Sequence, residues 1–172
     1  MKVGLIGSDY INENISNRLI SGDIEVWGYQ NNYAKSEEQY EKGNLSGCVT
    51  SLEYLSQVIH SDKAKYTNVG KIPAVYMISV PNESIDDVIK ELLQYCLEGD
   101  VIINHSDYNF KDTIKRIEML SKLGIQFINC DTSNDSVVVS GPKSTMIICS
   151  PVFRALSPQS QWCKISSWGA LS

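Results

Sequence analysis

Short apolar runs alternate along the chain with longer segments in which apolar residues recur every three or four positions. Runs of the first kind are typical of buried parallel strands, and the segment from Val3 to Gly7 is a clear example. The pattern predicts strands over residues 2–7, 24–29, 47–49, 74–80, 100–104, 125–129, 145–149 and 162–165.

The longer segments have the spacing of amphipathic helices. The first carries Ile11, Ile15 and Leu19 and ends before Gly22. Further helices are predicted over residues 33–42, 52–59, 85–93, 112–123 and 152–156. We expect Ser51 to cap the third of these six helices and either Ser84 or Asn82 to cap the fourth. The polar segment 61–71 has no periodicity and is predicted to be a loop.

Strands and helices therefore alternate through all 172 residues. Such alternation predicts an α/β fold in which helices cover both faces of a mostly parallel, doubly wound sheet. We interpret the chain as a single Rossmann-type domain.

Composition narrows the possible functions. Apolar residues make up 42% of the chain and charged residues 20%, which is typical of a globular protein. A net charge of −5 argues against nucleic-acid binding, and no apolar run approaches the roughly 20 residues that cross a membrane. The five cysteines form no CxxC pair, and we expect them to be reduced thiols. The two histidines, His60 and His105, are far apart in the sequence and do not have the spacing of metal ligands, so no metal site is predicted. With no leader-like start, we expect a cytoplasmic protein.

The turn after the first strand determines whether a dinucleotide can bind. It reads Gly7-Ser8-Asp9-Tyr10-Ile11-Asn12, so that only the first glycine of G-x-G-x-x-G is present. If Asp9 lay ~4 Å from a pyrophosphate charge, repulsion of roughly 4 kcal/mol would result. Such a repulsion would weaken binding by about three decades. Alternatively, Asp9 caps the following helix, and the segment is a plain strand–helix turn.

The end of the second strand offers no charge to a ribose. An NAD site has an acidic residue here and an NADP site an arginine nearby, whereas this chain has Gln30 and Asn31. Both amides can still hydrogen-bond a hydroxyl group.

Six segments carry recognisable motifs: the opening MKVGLIG, GNLSGCVTSLEYL at 43–55, MISVP at 77–81, GDVII at 99–103, NFKDTIKR at 109–116 and PVFRALSP at 151–158. Together these segments resemble the N-terminal domain of 6-phosphogluconate dehydrogenase. The resemblance implies a cofactor site of Gly7, Ser8, Asp9, Tyr10, Ile11, Gln30, Asn31, Val80, Pro81 and Asp107. It also implies a substrate-like pocket at Ser133, Asn134 and Asp135.

The motifs that carry function in this family are altered. Where the family has Asp-Gly-Gly-Asn-Ser, this chain has Asn104-His105-Ser106-Asp107-Tyr108. Where the family has Ser-Gly-Gly, this chain has Ser133-Asn134-Asp135. The family's catalytic lysine and glutamate belong to a second, helical domain that we expect to be absent. No catalytic residue is therefore assigned, although His105 and Lys111 are close to the expected cleft.

These observations favour a catalytically inactive, family-derived protein that serves as a structural or interaction module, for example in a viral or other large assembly. Trp162, Trp168 and Leu171 would then contact a protein partner or a second copy of the chain. The alternative is a nucleotide-binding regulator in which Ser8, Tyr10, Gln30 and Asn31 hold an adenosine-like ligand. An NADP-dependent oxidoreductase component ranks last. We expect no bound cofactor, although the resemblance leaves NADP possible.

Overall fold

The structure, a computed structural model, describes residues 1–7, 13–61, 66–67, 70–106, 109–132, 137–157 and 164–167. Within these residues the main sheet has eight strands. They are β1 (Lys2–Ile6), β2 (Glu25–Tyr29), β3 (Gly47–Cys48), β6 (Val75–Ile78), β7 (Val101–Asn104), β8 (Gln126–Asp131), β9 (Val138–Gly141) and β10 (Lys164–Ser167). Two further strands, β4 (Tyr66–Thr67) and β5 (Gly70–Lys71), pair with each other in an antiparallel hairpin.

The strand order across the main sheet is β10-β9-β8-β7-β6-β1-β2-β3. All neighbouring strands are parallel except β8 and β9, which are antiparallel. The chain builds outward from β1 to β3 and then returns to place β6 on the other side of β1. A crevice is expected at this reversal, beyond the carboxyl ends of β1 and β6.

Helices cover both faces of the sheet, as the sequence predicted. They are α1 (Glu13–Ser21), α2 (Tyr33–Glu41), α3 (Leu52–His60), α4 (Ile85–Leu92), α5 (Phe110–Ser121), α6 (Lys143–Ile148) and α7 (Ser150–Leu156). Ser51 caps α3 as expected, because its side chain accepts a hydrogen bond from the backbone N–H of Tyr54 at 3.2 Å.

Successive strand residues point to opposite faces and so supply two separate cores. One core joins Val3, Leu5 and Met77 to side chains of α1 and α7. The other joins Ile6, Tyr76 and Ile78 to side chains of α3, α4 and α5. The doubly wound architecture follows from this division of the apolar residues.

The predicted strand at 145–149 is wrong, because Thr145 to Ile148 belong to helix α6, which begins after Pro142. A short run of β-branched and apolar residues fits a half-buried helix as well as a strand. In this helix Thr145 and Met146 are buried while Ile147 and Ile148 face solvent. The strand that the sequence analysis missed is β9, at Val138–Gly141.

Other boundaries also differ. Asn82 and Ser84 form a short 3-10 turn before α4, and the Ser84 side chain makes no capping hydrogen bond. Segment 61–71, predicted to be a loop, contains the β4–β5 hairpin. Helix α5 begins two residues earlier than predicted, because Asn109 caps it through the N–H of Asp112 at 3.0 Å. The last strand lies at Lys164–Ser167 rather than 162–165.

A buried polar cluster joins α3 to the amino end of β7. The Asp100 carboxylate accepts hydrogen bonds from the N–H of Leu97 at 2.7 Å and the N–H of Ala74 at 3.3 Å. Its Oδ2 also lies 2.7 Å from Nε2 of His60, whose other ring nitrogen lies 2.9 Å from Ser56 Oγ. This cluster lies at the opposite end of the strands from the crevice.

Candidate functional site

A cavity of about 250 Å³ opens at the carboxyl ends of β1 and β2. It contains five residues that the sequence analysis assigned to a cofactor site: Gly7, Gln30, Asn31, Val80 and Pro81. The sequence analysis did not assign the other described lining residues, which are Ile6, Tyr29, Leu52, Ser84, Val88 and Glu91. Ser84, Val88 and Glu91 are spaced four and three residues apart, which places them on one side of α4. This helical spacing is the feature of the sequence from which these three residues could have been predicted to line the cavity together.

Gly7 forms the start of the turn after β1. Its φ of +156° is a conformation that residues with a side chain rarely adopt. Its N–H donates to the carbonyl of Tyr29 at 3.3 Å and so joins the ends of β1 and β2. The predicted site residues Ser8, Asp9, Tyr10 and Ile11 lie outside the described residues.

The side of the cavity at the end of β2 is polar. Gln30 is 6% exposed, and Asn31 accepts a hydrogen bond from the hydroxyl of Tyr29 at 3.3 Å. Burial and the nearby Glu91 carboxylate both raise the pKa of Tyr29. Among the described residues that line the cavity there is no lysine or arginine.

Side chains bridge the ends of β6, β7 and β8. Ser106 Oγ accepts the backbone N–H of Val80 at 2.8 Å, and the N–H of Ser106 donates to Asn104 Oδ1 at 3.1 Å. Asn104 in turn donates its amide to Asn129 Oδ1 at 2.9 Å. The Asn129 amide donates to Thr113 Oγ1 at 2.9 Å, so that a continuous chain of hydrogen bonds runs from β6 to α5.

His105 makes a second bridge between β7 and the residue after β8. Its Nε2 lies 2.8 Å from Thr132 Oγ1, and its backbone N–H donates to the carbonyl of Ile78 at 2.8 Å. Burial lowers the pKa of His105, and the charge of Asp131 partly opposes that shift. Lys111, the other residue near the expected cleft, is exposed on the first turn of α5.

Other predicted residues cannot be placed. Asp107, Ser133, Asn134, Asp135, Trp162, Trp168 and Leu171 all lie outside the described residues. Within the described part of the chain, no group of three or more His, Cys, Asp or Glu side chains could hold a metal ion. Among the described residues, no disulfide joins Cys48, Cys96, Cys130 or Cys149. None of the described helices is long and apolar enough to span a membrane.

Comparisons with the sequences of known proteins point to one family. A family model described as the NAD binding domain of 6-phosphogluconate dehydrogenase matches residues 2–164. The Bacillus subtilis protein YqeC is 26% identical over 162 residues, which cover 90% of this chain and 50% of that protein. The decarboxylating 6-phosphogluconate dehydrogenase of Haemophilus influenzae is 23% identical, and the match covers 92% of this chain and 33% of that enzyme. The chain thus spans half or less of the length of these relatives.

Solved structures share the fold. The 6-phosphogluconate dehydrogenase of Plasmodium falciparum superposes with a TM-score of 0.73 at 17% identity, covering 94% of this chain and 35% of that one. The 3-hydroxyisobutyrate dehydrogenase of Salmonella typhimurium also gives a TM-score of 0.73, at 13% identity, with 97% and 56% covered. At such low identity, the likeness concerns the fold.

Proposed function

We propose that this chain, which belongs to the family of NAD binding domains of 6-phosphogluconate dehydrogenase, is a catalytically inactive member that serves as a structural or interaction module. The observation that carries this proposal is the pair of bridges across the ends of β6, β7 and β8.

The bridges fill positions where the family resemblance places glycines. His105 and Ser106 align with the two glycines of the family's Asp-Gly-Gly-Asn-Ser motif. Glycine lets a ligand approach the backbone closely, whereas Ser106 here occupies the N–H of Val80 and His105 contacts Thr132. We infer that this half of the cleft is closed by the protein's own side chains.

The open half of the cleft suits the family's cofactor only in part. Its described lining offers two amides, two hydroxyls and the Glu91 carboxylate, but no cation for the 2′-phosphate of NADP. This described lining suits the uncharged adenosine part of the cofactor better than its charged phosphates. We therefore derive no hydride-transfer step for this chain.

A surface beside the outer strands supports an interaction role. Ile147 is 63% exposed and Ile148 is 38% exposed on α6, the helix that packs against β8 and β9. Exposed apolar side chains beside the β9–β10 edge fit the expectation that a protein partner or a second copy binds there.

Activity measurements test the absence of catalysis. The complete chain, incubated with 6-phosphogluconate and NADP, should generate no NADPH absorbance above a protein-free control. Turnover that rises in proportion to protein concentration would contradict the proposal.

Light scattering tests the interaction surface. If α6 mediates self-association, Ile147→Lys should lower the apparent mass of the wild-type chain to that of a monomer. Leu123→Lys is the matched control, because Leu123 is 55% exposed on a different surface, just beyond α5. If the wild-type chain is monomeric, the partner must be a different protein. If Ile147→Lys weakens neither self-association nor the binding of such a partner, the α6 surface is excluded.

A second candidate function, a nucleoside-binding regulator, is favoured by the cavity itself. Its volume of about 250 Å³ and its mixture of apolar walls and amides suit an uncharged nucleoside. Calorimetry with adenosine should then show saturable binding that Val88→Trp abolishes by filling the cavity, whereas Leu123→Trp leaves binding unchanged. No heat of binding in the wild-type chain would eliminate this candidate.

A further inference from the structure

A second cavity, of about 460 Å³, lies in the groove between α1 and α7. From α1 it is lined by Asn14, Asn17, Arg18 and Ser21, whose spacing of three and four residues places them on one side of the helix. From the other side of the groove it is lined by Arg154, Ala155 and Ser157, and Gly22 completes the lining. None of its described lining residues also lines the cleft at the ends of β1 and β2.

The two helices meet closely at one end of this groove. A Cβ atom on Gly22 would lie only 2.5 Å from Cβ of Ala155. Arg18 Nη1 donates to the carbonyl of Leu156 at 3.2 Å, which fixes its guanidinium beside the end of α7. Arg154 is held near Ser150 Oγ at 3.4 Å, so that both arginines are positioned by the fold.

The chemistry of the lining is that of an oxyanion receptor. The described lining residues carry two guanidinium groups, two amides and two hydroxyls, and none of these residues carries a carboxylate. Guanidinium groups recognise carboxylate and phosphate through paired, charge-assisted hydrogen bonds. This local excess of donors contrasts with the net charge of −5 on the whole chain.

We propose that the α1–α7 groove binds an oxyanion, phosphate or carboxylate, carried by a small molecule. The site is independent of the proposed function, because it lies between α1 and α7 and its described lining residues are different from those of the cleft. Arg154 and Arg18 would contact the anion, and Asn17 and Ser21 would supply neutral hydrogen bonds.

Amide NMR of the complete chain tests this site with two probes, sodium pyrophosphate and sodium citrate. Each is titrated against sodium chloride at equal ionic strength. We expect saturable shifts at residues 14–22 and 154–157 with at least one probe. A response to pyrophosphate alone identifies a phosphate site, and a response to citrate alone identifies a carboxylate site. Shifts no larger than those with chloride, or shifts confined to Gly7, Gln30 and Val80, would overturn the proposal.

Arginine substitution supplies the second measurement. Arg154→Gln should lower the affinity for the responding probe about tenfold, which is the effect of losing one charged hydrogen bond. Lys122→Gln removes one positive charge from the end of α5 and should leave the affinity unchanged. Equal weakening by both variants would indicate a general effect of net charge and would refute the site. Because Arg154 is exposed on α7, we expect the variant to fold, which its NMR spectrum verifies directly.

Discussion

Replacing Asp100 with asparagine should destabilise the fold more than any comparable change at a surface aspartate. Asp100 is 1% exposed, and its carboxylate accepts the N–H of Leu97 and of Ala74 as well as the ring of His60. Asparagine has nearly the same shape but turns one acceptor oxygen into a donor, so that at least one of these three contacts loses its acceptor.

The magnitude follows from these contacts. Leaving a buried polar group without its hydrogen-bond partner costs about 1–3 kcal/mol. We expect the upper end of this range, about 3 kcal/mol, since the buried carboxylate serves three contacts and asparagine keeps only one acceptor oxygen. For a domain of this size, such a loss lowers the melting temperature by roughly 6–12 °C.

Urea unfolding followed by circular dichroism measures the change in the free energy of unfolding. Asp87→Asn, on the exposed side of α4, is the matched control and should change it by less than about 0.5 kcal/mol. If Asp100→Asn cost less than about 1 kcal/mol, the cluster would not hold α3 to β7, and our reading of it would be refuted.

Three further predictions concern other contacts. Because burial holds the pKa of His105 below 6.5, the unfolded chain takes up a proton that the folded chain resists, and stability should fall as the pH drops below 6.5. In His105→Gln the urea midpoint should fall less steeply with decreasing pH than in the wild-type chain, and identical pH profiles of the two chains would contradict this. Gly22→Val should cost about 1–3 kcal/mol in urea unfolding through its clash with Ala155, and an unchanged midpoint would mean that the helices separate freely. Asn129→Leu should cost about 1–3 kcal/mol by leaving the buried amide of Asn104 unpaired, and a neutral result would show that this amide finds another partner.

Much of the fold was predictable because buried parallel strands are nearly continuous apolar runs. Strands β1, β2, β6 and β7 were each expected within a few residues of their observed positions. The run at 145–149 misled the prediction, because five residues are too few to separate the periodicity of a helix from that of a strand. Strand β9 was missed because Val138 to Gly141 is short and ends in serine and glycine.

The candidate site was predictable where local chain geometry places residues, and not where the sheet brings distant residues together. Prediction of the strands also located the site residues at or just beyond the strand ends, which are Gly7, Gln30, Val80 and Pro81. The pairing of Asn104 with Asn129 depends on the register between β7 and β8, which apolar patterns do not report. Glu91 enters the cavity from α4, so its role depends on helix packing.

A thermal-shift titration of the complete chain with NADP tests the central claim most directly. A ligand that binds only the folded state stabilises it by about 2.7 kcal/mol at one hundred times its dissociation constant. In this domain that corresponds to roughly 5–11 °C in melting temperature. We predict no saturable increase at millimolar NADP, because the bridges close one half of the cleft and the described lining of the other half has no cation. A saturating rise of that size would contradict the account and return the chain to the cofactor-binding members of its family.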